Sequence, residues 1–164
     1  MLGQLFGAFF GLALVWILVY DPIVNAVGDD WKREPNVRDV FHPLNDPTNW
    51  QVEMLDALLG SFILGMLTMA ISDQGNMGVR YLNPLWYGFI IMVVGLAFSG
   101  RQGVNVNPAI EVASRLYSCT LGIFWRTSDW WMVILTLLWQ FLGTLVGVHT
   151  YAYIFCKYPH YLLY

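Results

Sequence analysis

Asn107, Pro108 and Ala109 follow a Gly-rich stretch, Gly100 to Asn105, and open a run that continues through Ile110 and Glu111 to Tyr117. Asn107 suits the position just before a helix, where its side chain can accept from an orphan backbone N–H, and Pro108 suits the first helical residue. Glu111 then falls in the first turn, where an acid complements the partial positive charge of the helix end. The chemistry in reach is hydrogen bonding to a small neutral molecule, with no bond made or broken. Backbone carbonyls of the Gly-rich loop would accept, and Asn107 would donate. Asn-Pro is also an ordinary turn initiator, so these three residues acquire meaning only from the segments around them.

A reacting site would need converging acid, base or nucleophile groups. Asp56, Glu111, Cys119 and His149 are the candidates, and their spacing matches no catalytic pattern. The sequence therefore predicts no enzyme, no cofactor and no metal site. Cys119 and Cys156 form no CxxC or Cys/His pattern and read as small packing residues in apolar surroundings. His149, near Gly147 and Thr150, reads as an interhelical hydrogen-bonding residue.

The elements that must position the Asn-Pro-Ala stretch are apolar. Hydrophobic residues make up 57% of the 164-residue chain and charged residues 12%, against about 25% charged in an ordinary soluble domain. The net charge of −3 and the lack of a basic run exclude a nucleic-acid footprint. The opening apolar run lacks the basic lead and small-residue cleavage site of a signal peptide, and it begins as though cut at a helix edge. Transmembrane spans are expected at about 3–20, 51–72, 82–98 and 130–155, with Asp21-Pro22 ending the first. Residues 21–50 carry eight charges between Asp29 and Asp46, with Pro35, Pro43 and Pro47 among or beside them, and read as a solvated loop. Gly3, Gly7 and Gly11 on the first span, and Gly60, Ser61 and Gly65 on the second, form small-residue faces where another helix can approach closely. Asp129 can cap the last span, and Trp130 and Trp131 suit a membrane interface.

Residues 99–119 lie between two spans and read as a re-entrant loop followed by a half-helix. Non-helical backbone at membrane depth must be buried in protein or line water. A helix of about 12 residues from Pro108 rises roughly 18 Å at 1.5 Å per residue, about half the bilayer core. Its N-terminus would carry positive potential near the midplane, repelling cations while Asn107 meets a passing hydroxyl or water. The expected fold class is an all-α membrane protein with four transmembrane helices and one re-entrant half-helix, forming a single partial channel domain over 1–164.

Four stretches resemble the major intrinsic protein (aquaporin) family, in its aquaglyceroporin branch. LGQLFGAFFGLALVWILVYDPI is similar to the third transmembrane helix of that branch, and LDALLGSFILGMLTMAISDQGN to the fourth helix with its cytoplasmic turn. YGFIIMVVGLAFSGRQGVNVNPAIEVASRLY resembles the fifth helix, pore loop and second Asn-Pro-Ala half-helix, and WWMVILTLLWQFLGTLVGVHTY the sixth helix. The resemblance implies a partial aquaporin-like fold with the N-terminal part missing, loop 21–50 outside and the C-terminus in the cytoplasm. It implies a passive channel for glycerol, water and other small neutral solutes, placed in a lipid bilayer, most simply the plasma membrane. Such channels assemble as tetramers, so a homo- or hetero-oligomer is expected.

The resemblance also assigns roles. Gly95 matches the small filter residue that widens the passage for polyols. Gly103, Val104 and Asn105 match the loop whose carbonyls form the hydrogen-bonding ladder, with Val104 where an aromatic often packs against the polyol. Asn107, Pro108 and Ala109 are the pore signature, with Asn107 the central asparagine. Glu111 stands for the usual Asp, Arg115 for a basic residue, and Tyr20 for the aromatic of the branch. Three departures are specific to this chain. Ile110 occupies the position of the filter arginine. Ala57 stands where Glu or Gln usually accepts from a pore loop, with Asp56 one position off. Gln140-Phe141 replaces a Pro-Leu pair. The pore of this family forms between two inverted repeats, so this chain is expected to conduct little alone. The alternative reading is a non-conducting truncated subunit that binds and modulates a full-length channel.

Overall fold

The computed structural model describes residues 2–34, 37, 41, 50–73, 75–76, 80–98, 106–123 and 129–155. Among them every regular element is helical: α1 (Leu2–Val27), α2 (Trp50–Ser72), α3 (Asn83–Phe98), α4 (Pro108–Leu121) and α5 (Asp129–Phe155), with single 3-10 turns at Trp31–Arg33 and Arg80–Leu82. Three helices, α1, α2 and α5, are long and apolar enough to cross a membrane. α3 is apolar with 16 residues, a rise of about 24 Å. The protein is an all-α membrane protein. Its residues form two compact units, Met1–Pro47 with Asn107–Val133, and Thr48–Val106 with Ile134–Tyr164.

The first unit brings α4 against α1. The expectation that Asp21-Pro22 ends the first span is corrected: α1 continues through Pro22 to Val27. A proline inside a helix removes one backbone hydrogen bond, but Ile23 and Val24, just beyond it, pack against the core of the unit, and that burial favours continued helix. α1 ends at Gly28, whose φ of +84° suits a residue without Cβ and whose N–H bonds Val24 O at 2.8 Å.

The core of this unit corrects a second expectation. Trp31, Val37 and Phe41 come from the charged connection, yet all three are buried with Tyr117 and Ile123 of the α4 end. The Trp16 ring lies tilted against those of Trp31 and Phe41, with centroids 4.6 Å and 5.6 Å away. Phe9 meets Tyr117 edge-on at 5.3 Å. The connection is thus pinned at apolar points, while Asp29, Asp30, Lys32 and Arg33 are exposed. A water-exposed segment folds this way when a few large side chains gain more by burial than the backbone loses in freedom.

The second unit is built on α2, α3 and the greater part of α5. An added Cβ on Gly65 would lie 2.6 Å from Thr144 O and 3.0 Å from its Cα. Added Cβ atoms on Gly143 and Gly147 would overlap Leu58 O and Phe62 O. Residues 58 to 66 and 143 to 147 advance together, so α2 and α5 run parallel here with their backbones touching. Small residues make this possible. Gly60, Ser61 and Gly65 are all buried on α2.

On α1 the small-residue face is uncovered: among the described residues nothing lies within 4 Å of a Cβ built on Gly3, Gly7 or Gly11. α1 has no buried residue, and its glycines sit on the side of the helix away from the Tyr117 cluster.

At the end of α2, Tyr151 donates to Asp73 Oδ2 at 3.0 Å, and Asn76 Nδ2 donates to Tyr151 Oη at 3.3 Å and to Ala70 O at 2.8 Å. Asp73 Oδ1 accepts from Gly75 N–H at 2.9 Å. The turn after α2 is thereby tied to α5. Ser72 and Tyr87 share a hydrogen bond of 2.9 Å that links α2 to α3.

Candidate functional site

The candidate site is built on α4. Asn107 takes extended backbone (φ −123°, ψ 103°), and its Oδ1 accepts from Ala109 N–H at 3.0 Å. Its carbonyl accepts from Ile110 N–H and Glu111 N–H, both at 3.1 Å. Pro108 is the first helical residue. Asn107 is therefore the N-cap that the residue types predict. With Oδ1 engaged by the cap, Nδ2 is the donor on the Asn107 amide.

The first turn presents contrasting neighbours. Ala109 is buried, while the Ile110 side chain is 49% exposed. Glu111 is 0% exposed, and Arg115, one turn later, 3%. Arg115 Nε donates to Glu111 Oε1 at 2.8 Å, and Nη2 lies 2.8 Å from the same oxygen. The carboxylate thus sits where the helix end favours it and neutralises the guanidinium. Of the two charges on the half-helix, neither is offered to solvent. The face that Ile110 shows is apolar.

α4 closes as firmly as it opens. Gly122 adopts φ +74° and donates to Cys119 O at 3.1 Å, and Ile123 N–H donates to Ser118 O at 3.1 Å. This is a Schellman closure, with Ile123 packed against Tyr117 in the apolar cluster. The Lys32 ammonium lies 5.4 Å from the Trp31 ring centroid and 3.9 Å from a Cβ built on Gly122, a cation at the negative end of the helix. Inside the helix, Ser114 and Ser118 are buried, and their hydroxyls donate to Glu111 O at 3.0 Å and Ser114 O at 2.9 Å. A short helix with its polar side chains turned onto its own backbone suits a place where outside partners are few.

The structure brings Asn107, Pro108, Ala109, Ile110 and Glu111 together on one helix start. Gly95 is half-buried in the last turn of α3, in the other unit. Gly103, Val104 and Asn105 lie outside the described residues, as does Cys156. Tyr20 lies on α1, its ring 5.0 Å from Trp16 and 6.4 Å from Trp31. Ala57 is buried on α2, whereas Asp56 is exposed, so the two point to different sides of the helix.

Two readings of single residues are corrected. Cys119 is exposed rather than packed, because it lies on the side of α4 opposite the buried Ser114, Tyr117 and Ser118. His149 is exposed, and its Nδ1 lies 2.8 Å from Leu145 O of its own helix, so no second helix is involved in that bond. The feature missed from the sequence is the Glu111–Arg115 pair. Their spacing of four residues on a predicted helix carried the signal. Among the described residues no three His, Cys, Asp or Glu side chains group as metal ligands.

Comparison with known proteins bears on the whole chain. The family model for the major intrinsic proteins matches residues 1–154. Aquaporin-10 of Homo sapiens is 28% identical over 159 residues, covering 92% of this chain and 52% of that protein. A probable glycerol uptake facilitator protein of Thermotoga maritima is 30% identical over 156 residues, 93% of this chain and 62% of its own length. Aquaporin-7 of Mus musculus is 27% identical over 161 residues, with coverage of 89% and 52%. The chain therefore spans about half to three-fifths of the length of these relatives. With the apolar helices and the capped half-helix in place, these matches make the chain an integral membrane protein of the major intrinsic protein family, a family of channels rather than enzymes, in its aquaglyceroporin branch.

Proposed function

We propose that this chain contributes one half of a passive channel of the glycerol-conducting type, permeable to glycerol, water and other small neutral solutes. One observation carries the reading: Asn107 caps α4 with Oδ1 while Pro108 starts the helix, so an amide donor and the positive end of a helix belong to one residue. That combination favours neutral molecules with lone pairs over cations. Resemblance to the family supports Gly95 as the small residue on the wide side of the filter, which suits a polyol. Ile110 takes the filter arginine's place and removes a donor and a positive charge, so its apolar face supplies packing for the carbon side of a solute. Gly103, Val104 and Asn105 belong to the same path as its ladder of carbonyls. Assembly as a tetramer in the plasma membrane is part of the proposal.

The test is osmotic shrinking and reswelling of proteoliposomes in a glycerol gradient, read by light scattering. A chain half the length of its relatives is expected to give little uptake above empty vesicles. Co-reconstitution with a chain that carries the other repeat of the family is expected to raise uptake. Rapid glycerol entry with this chain alone would overturn the half-channel reading, and no entry in either preparation would overturn the transport reading.

A second reading has its own observation. The glycine face of α1 is uncovered, and such a face can dock on another helix. On this reading the chain is a non-conducting subunit that binds a full-length channel and lowers its conductance. Co-purification with such a channel together with reduced uptake supports it. Recovery of the two proteins apart, with conductance unchanged, removes it.

A further inference from the structure

The outer face of α5, opposite the Gly143–Gly147 side that meets α2, has an order of its own. Trp131 and Tyr153 stand at its two ends, with Leu138, Leu142, Leu145 and His149 between them, all exposed. Spacings of three and four residues keep Leu138 to Tyr153 on one stripe, and Trp131 lies on the same line five full turns before His149. From Trp131 to Tyr153 the helix rises about 33 Å, which matches the roughly 30 Å hydrocarbon core with a belt residue at each edge. His149 is the polar rung of this stripe, one turn inside the Tyr153 end. Its Nδ1 lies 2.8 Å from Leu145 O. A carbonyl oxygen can only accept, so Nδ1 carries the proton and Nε2 of the neutral ring is an acceptor. Among the described residues nothing donates to it.

An acceptor set in an apolar stripe at membrane depth calls for a donor. The ester and phosphate oxygens of a phospholipid cannot supply one, because they accept as well. A sterol supplies it, with one hydroxyl at the edge of the hydrocarbon core on a rigid apolar body that fills a single leaflet. The stripe has these proportions: from His149 to Leu138 it runs about 16 Å, one leaflet of a core of about 30 Å, with a leucine at each rung. Val148, Tyr153 and Lys157 also have the spacing of a short sterol-contact pattern; such matches are frequent, and Lys157 lies outside the described residues. We propose that the outer face of α5 binds a sterol, whose hydroxyl donates to His149 Nε2 and whose ring system lies along Leu145, Leu142 and Leu138. The site depends on α5 alone and is separate from the solute path assigned to Asn107.

Solid-state NMR of the full chain, isotope-labelled in its histidines and held in phosphatidylcholine vesicles, tests this. The His149 Nε2 resonance, assigned by its loss in His149→Leu, is expected to move upfield when cholesterol is added, as the nitrogen accepts a hydrogen bond. With cholesteryl methyl ether, which keeps the body and lacks the hydroxyl proton, it is expected to stay where it is in phosphatidylcholine alone. Retention of radiolabelled cholesterol by the purified protein is expected to fall about fivefold in His149→Leu, the worth of one net hydrogen bond, with the Gly143 and Gly147 Cα shifts showing that the helix crossing is intact. Equal shifts with cholesterol and its methyl ether overturn the proposal, as does retention that His149→Leu leaves unchanged. A shift already complete in phosphatidylcholine alone assigns the acceptor to interfacial water and overturns it too. So does a contact from Nε2 to a second copy in mixed labelled and unlabelled samples, since the face would then be a helix interface.

Discussion

Arg115 donates its Nε–H to Oε1 of Glu111, one turn earlier on the half-helix, at 2.8 Å, with both side chains almost wholly withdrawn from solvent. Removing one partner of such a pair leaves a bare charge in a poor solvent, and a loss of about 3–5 kcal/mol follows. Glu111→Gln is expected to lower the thermal transition of the purified protein sharply, and Arg115→Met likewise. The double variant, with no charge left to bury, is expected to recover most of the loss. Thermal unfolding in detergent, followed by the fraction surviving as a monodisperse peak, measures all three.

The glycines of α5 and α1 predict opposite sensitivities. Gly147→Ala would drive a methyl into Phe62 O, and a forced backbone shift of this kind costs about 1–3 kcal/mol. Gly7→Ala meets open space and is expected to leave the stability of this chain unchanged. The same unfolding assay compares them. A loss for Gly7→Ala equal to that for Gly147→Ala would contradict the placement of α1.

Gly122 holds φ +74° at the close of the half-helix. A side chain there is strained, by roughly 1–2 kcal/mol for most residues. Gly122→Ala is expected to destabilise the chain by this amount and Gly122→Asn by less, because Asn tolerates the left-handed region better. Hydrogen exchange at the Ile123 amide, which bonds Ser118 O, reads the local effect.

Tyr151 reaches from α5 to Asp73 in the turn after α2. Tyr151→Phe removes that hydrogen bond and is expected to cost about 0.5–1.5 kcal/mol. Exchange at the Gly75 amide should accelerate, because Asp73, its acceptor, loses the contact that orients it.

Ile110→Arg tests the filter assignment. A guanidinium at the exposed first turn adds a donor and a positive charge where the structure has neither. In a conducting preparation it is expected to lower the glycerol-to-water permeability ratio and to exclude cations more strictly. An unchanged ratio would take Ile110 out of the solute path.

Much of this was legible before any coordinates. Uninterrupted apolar runs announce membrane helices because lipid leaves the backbone no other partner than itself. Asn107-Pro108 announces a helix start because cap and first residue have narrow chemical requirements. The Trp31, Val37 and Phe41 anchors were hidden: three apolar side chains among charges and prolines have no period, and only the folded chain shows what they meet. Pro22 was misleading for the same reason, since its penalty is local and the packing of Ile23 and Val24 is not. Glycine spacing proved ambiguous by itself. Gly3, Gly7 and Gly11 look like a better contact face than Gly143 and Gly147, but a partner helix stands only beside the latter pair. The Glu111–Arg115 spacing was readable, whereas the burial of the pair was not.

Phe9 and Tyr117 touch across the interval of chain that builds most of the other unit. This has a consequence for biogenesis. During synthesis α1 leaves the ribosome long before α4, its partner in this unit, exists. The connection bearing Trp31 and Phe41 emerges next and has only half of its seat. The unit is completed only when residues from Asn107 onward leave the ribosome, so a late segment closes against an early one. An arrest of translation before Tyr117 would leave the α1 face that carries Phe9 without its partner ring, open to whichever membrane quality control removes unassembled spans.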